Sequence, residues 1–62
     1  MIDFIAELNA GTKVDQVLIN GNKQSVDKFA SFDAATGIAT FVKENKSIVV
    51  VNAAQIDAIV LG

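Results

Sequence analysis

Hydrophobic and polar positions along the chain fall into short runs separated by turn-forming residues: Ala10-Gly11, Asn20-Gly21-Asn22, Asp33 to Gly37, Glu44-Asn45 and Asn52 to Gln55. A turn roughly every ten residues is the interval of a small barrel or sandwich. Five strands fit between and after these turns, over Val14–Asn20, Gln24–Phe32, Ile38–Lys43, Ser47–Asn52 and Gln55–Leu61. In the second, Val26, Ala30 and Phe32 share one side while Asp27, Phe29 and Ser31 share the other, so both faces meet apolar neighbours. The fourth carries Ile48-Val49-Val50-Val51, apolar on both faces, as in strands that are covered on both sides. A chain this short has too little material to cover it, and pairing of this strand with another chain is expected.

The first nine residues carry two periods at once. Met1, Phe4, Ile5 and Leu8 fall at i, i+3, i+4 and i+7, a two-turn helical stripe with Asp3 near its N-terminal end and Gly11 just past its C-terminal end. Ile2, Phe4, Ala6 and Leu8 also alternate with Asp3, Glu7 and Asn9, broken only by Ile5, so a strand stays open beside the helix. No internal repeat or linker interrupts the pattern, and residues 1–62 read as a single domain.

Composition sharpens the fold class. Of 62 residues 32 are apolar, against 5 Lys and 7 Asp or Glu, which excludes a disordered segment. Fifteen Val or Ile against three Leu favour a pleated surface over a helix, so the chain is expected to be mainly β. The absence of Cys, His and Trp excludes disulfide frameworks, zinc knuckles, haem ligation, thiol nucleophiles and His-based triads. Asp27 and Asp33 lack a partner for acid–base work, and no glycine spacing matches a phosphate loop, so no enzymatic activity, cofactor or metal is expected. No apolar run exceeds four residues, too few to cross a bilayer as a helix. The N-terminus is acidic where a signal peptide is cationic, and together with the lack of Cys this predicts a cytoplasmic protein. A net charge of −2 sets the whole molecule against nucleic acid, so any such site would have to be local.

Val17-Leu18-Ile19-Asn20-Gly21 followed by Phe29-Ala30-Ser31-Phe32-Asp33, and then Val50-Val51-Asn52-Ala53-Ala54-Gln55-Ile56-Asp57-Ala58-Ile59, resemble the two motifs of the Sm-like family, including its bacterial Hfq branch. The short helix, the five strands and the brief link between the last two strands extend the resemblance over nearly the whole chain. It implies a small, strongly bent, five-stranded antiparallel SH3-like barrel with a short N-terminal helix. It also implies a homo-oligomeric ring, in which the fourth strand of one copy pairs with the fifth of the next, and non-catalytic binding of single-stranded RNA or DNA. The sequence departs from the family at three places. The bend glycine of the second strand is Asp27, which requires a different bend or a bulge. The Asn that follows the Phe-Asp pair is replaced by Thr36 or Gly37, and the Arg-Gly pair of the second motif is Asn52-Ala53.

The resemblance assigns Asp33, Thr36 and Gly37 to a first nucleic-acid loop, with Asp33 ordering it and Thr36 and the backbone around Gly37 bonding a base edge. Asn52 and Gln55 fall in the second loop, where an amide can bond a base edge although it cannot stack as Arg does. Plain turn chemistry accounts for the same residues: Asp33 caps backbone N–H groups, Gly37 supplies a positive φ and Asn52 ends a strand. Replacing Asn52 by Ala is expected to weaken binding and leave stability almost unchanged. The lysines, Lys13, Lys23, Lys28, Lys43 and Lys46, do not cluster in sequence and suit a solvated surface. Lys43 and Lys46, at the tip between the third and fourth strands, are the one pair close enough to form a phosphate-contacting ring in an oligomer. The four Phe read as core. Two functions stay open: a nucleic-acid-binding ring, and a structural oligomer or protein-interaction module on the same barrel.

Overall fold

The chain forms six strands, four of them rich in Val and Ile, in the computed structural model, which describes residues 2–62. Helix α1 (Ile2–Ala6) precedes β1 (Val14–Ile19), β2 (Asn22–Ser25), β3 (Lys28–Asp33), β4 (Ile38–Val42) and β5 (Ile48–Asn52); a 3₁₀ turn (Ala53–Gln55) then leads into β6 (Ile56–Leu61). The strands form two antiparallel sheets, ordered β2-β1-β6 and β3-β4-β5. Asn20 and Gly21, with φ of 51° and 82°, make the two-residue hairpin turn between β1 and β2, the type I′ geometry that matches strand twist.

Where one long second strand was expected, there are two. Val26 N–H donates to Asp15 O at 3.1 Å, whereas the next residue, Asp27, donates to Val42 O at 2.8 Å. Consecutive amides thus bond to different sheets, and the chain bends at Asp27, the position where the resemblance places a glycine. Val26 and Phe29, assigned to opposite faces that both meet apolar neighbours, are both buried, one on each side of the bend. Register slips once more between Phe29 and Ser31, leaving Ala30 as a bulge.

The sheets meet along one seam, where Gly11 N–H donates to Phe29 O and Phe29 N–H to Thr12 O, each at 2.8 Å, and Lys13 bridges Lys28. On the opposite side no ladder joins β5 to β6 among the described residues, so no closed barrel forms. Inside, Phe41, Ile5, Val14 and Val17 are the largest fully buried side chains. Phe29 and Phe41 sit directly opposite each other in register and pack edge to face, with centroids 5.7 Å apart at 70°, worth about 1 kcal/mol beyond their burial.

The N-terminal segment takes the helical option, shorter than expected at five residues. Ile5 is fully buried and Leu8 packs against the core, but Phe4 is 42% exposed, so the apolar stripe is only partly used and one of the four Phe lies outside the core. Met1, the first member of that stripe, lies outside the described residues. Among the described residues no helix is long and apolar enough to cross a membrane. On β5, Val51 is buried and Val49 half-buried, whereas Ile48 and Val50 are 65% and 62% exposed. The outer face of this strand is bare in the single chain.

Candidate nucleic-acid interface

The end of β3 and the start of β4 are joined by a turn built on Asp33. Its Oδ1 accepts from Ala35 N–H at 2.9 Å and its carbonyl from Gly37 N–H at 2.7 Å, while Gly37 closes the turn with φ of 75°. Cross-strand register then places Asp33 opposite Ile38 and Ile38 opposite Asn52, so Asp33 and Asn52 flank one isoleucine on the outer face. Gly37 O accepts from Ala53 N–H at 2.8 Å, and a Cβ added to Gly37 would lie 3.8 Å from Asn52 Oδ1. The two loops are therefore in direct contact, with Thr36 in the first of them.

Asn52 has a local task as well. Its Oδ1 accepts from Ala54 N–H at 2.9 Å and caps the 3₁₀ turn, which contradicts the expectation that its removal leaves stability unchanged. The Nδ2 side of this amide is what remains for a ligand. Gln55, exposed at the far end of that turn, accepts at its carbonyl from Asn20 N–H at 3.1 Å. Asp57 Oδ2 accepts from Gly21 N–H at 2.7 Å and draws the β1–β2 turn beside the second loop. Sequence reading missed that neighbourhood, because the contact spans 36 positions and nothing local marks it.

The five loop residues offer two amides, one hydroxyl and one carboxylate, and no cation. Such a surface offers hydrogen-bonding groups and no cation to meet a phosphate. Lys43 and Lys46 lie at the other end of the β4–β5 hairpin, about 17 Å away along a five-residue strand. Their turn is held by Lys43 N–H to Ser47 O at 2.8 Å and Lys46 N–H to Lys43 O at 2.9 Å, with Asn45 Oδ1 accepting from Ser47 N–H at 3.0 Å. Lys46 has a φ of 69°, a left-handed conformation unusual for a side chain of this kind. The fold also brings Lys43 near a lysine distant in sequence: Lys43 and Lys23 line one open groove. Among the described residues no three Asp or Glu side chains converge to hold a metal ion.

No family model matches this sequence, and comparison with curated proteins and with solved structures gives no match.

Proposed function

We propose that this chain is a divergent Sm-like protein that assembles into a homo-oligomeric ring and binds single-stranded nucleic acid, RNA in particular, without catalysis. The observation that carries the proposal is the contact between the two loops, which sets Asn52 against Gly37 and leaves the Asn52 amide nitrogen and the neighbouring Thr36 and Gln55 side chains for base edges. In this reading β2 and β3 are the two arms of one bent strand, and the two sheets are halves of a five-stranded SH3-like barrel open between β5 and β6.

Those two strands supply the assembly edges. β5 carries no charge and no bulge against β4, so it lacks the usual protection of an edge, and Val60 and Leu61 of β6 are 42% and 50% exposed. Pairing β5 of one copy with β6 of the next would cover both. One weak site per subunit then gains from repetition around the ring. The cysteine-free composition suits a reducing compartment, and we assign the protein to the cytoplasm on that ground.

The test is a fluorescence-anisotropy titration of a short A- or U-rich RNA at low salt, on protein whose native mass has been measured. Asn52→Ser keeps a capping oxygen and removes the amide donor. The variant is expected to bind about fivefold more weakly, the equivalent of one neutral hydrogen bond of about 1 kcal/mol per engaged site. Equal binding by the two proteins, or none by the wild type at roughly tens of micromolar, overturns the proposal. A specific feature favours a second reading, a structural oligomer: the only charge among the loop residues is the Asp33 carboxylate. A folded oligomer without affinity for RNA would establish that reading instead.

A further inference from the structure

The bend at Asp27 has a second effect on the surface. As the chain passes from one sheet to the other, β2 diverges from the turn that joins β4 to β5, and an open groove of 720 Å³ lies between them beside the buried Val26. Lys23 and Lys43, 20 positions apart in sequence, both line it, together with Asp15 and Glu44. Gln24, Ser25 and Asn45 supply the remaining polar groups. The one ion pair among the described residues is Lys28 with Asp27 at 3.9 Å, so none of the four groove charges is in direct ion-pair contact with another. Asp15 sits at the register slip between Val14 and Gln16 of β1, a bulge of the kind that re-aims a side chain.

These groups narrow the ligand to an anion that also carries hydrogen-bond donors. Two ammonium groups call for an anion, and two carboxylates accept hydrogen bonds from hydroxyl or amino groups. Inorganic phosphate satisfies only the first requirement. A nucleotide satisfies both, with its phosphate toward the lysines and its ribose hydroxyls or base N–H groups toward Asp15 and Glu44. The volume falls within the range of small-ligand sites. We propose that this groove binds a nucleotide, either free or as one unit of a single strand, at a site separate from the two loops. The choice of ligand class rests on the proposed nucleic-acid function; the geometry of the groove does not.

Amide NMR titrations of the full chain test this with uridine monophosphate, uridine, inorganic phosphate and a short oligouridylate. The monophosphate is expected to shift the amides of Lys23, Ser25, Lys43 and Asn45, and to bind at least about threefold more tightly than uridine or phosphate alone. Lys23→Gln and Lys43→Gln should each weaken it about threefold at low salt, the loss expected for one exposed charge contact, while Lys13→Gln should not. Added salt should weaken it further. Groove shifts with both the monophosphate and the oligomer assign the site to a strand; shifts with the monophosphate alone assign it to the free nucleotide. No groove shifts with either, phosphate binding as tightly as the monophosphate, or unchanged binding by both Gln variants would overturn the inference. Shifts confined to residues 33–37 and 52–55 would remove the groove and leave the proposed function standing. Shifts confined to the groove would do the reverse.

Discussion

Asn52 shows how one side chain can serve the fold and a ligand through different atoms. Its oxygen is committed to the Ala54 amide, so truncation to Ala should cost about 1 kcal/mol of stability, seen as a lower urea midpoint, whereas Asn52→Ser should stay near wild type. Lys46 presents the opposite case, a residue the backbone does not favour. With φ at 69° it occupies a conformation that costs a side chain roughly 1 kcal/mol relative to glycine, and Lys46→Gly should raise stability by about that amount with an unchanged urea slope. A fall in stability would mean that the lysine side chain contributes more than its backbone costs. The turn roles of Asp33, Gly37 and Asn52 were legible in the sequence because Asx turns and left-handed glycines act over two to four positions. Lys46 was not, since no neighbouring residue marks a lysine for the left-handed region.

Among the elements, the hairpins were readable and the bend was not. Asn20-Gly21 and the Asp33–Gly37 turn punctuate the strands by their own chemistry, and the ends of β1, β4, β5 and β6 fall within a residue of where the apolar runs place them. The split of β2 from β3 depends on Asp15 and Val42, which offer carbonyls to successive amides from distant parts of the chain. The meeting of Lys23 with Lys43 follows from that split and was equally invisible, whereas the proximity of the two loops follows from strand register once the hairpins are known. The tether from Asp57 to Gly21 is a third long-range contact. Asp57→Ala should cost about 1 kcal/mol and speed hydrogen exchange most at the Gly21 amide, with the Phe29 and Phe41 amides accelerated much less. Uniform acceleration across both sheets would show that the contact supports the whole fold rather than the position of one turn.

At the scale of the whole molecule, the decisive quantity is how much apolar surface the single chain leaves bare. Ile48 and Val50 stand out from β5 on the side away from the core. Val50→Lys keeps its charge in water in a lone chain, so the variant should fold with near-native circular dichroism and sediment as a monomer while the wild type sediments as an oligomer. A folded, monomeric wild type at micromolar concentration would sink the ring. The gap between β5 and β6 has one more consequence. Its two rims are different strands, so the contact between copies would be head to tail, and a copy damaged on one rim would still be recruited by the other. Val50→Lys protein mixed into wild type should therefore act as a chain terminator, and a minority of altered copies should poison a disproportionate share of the assemblies.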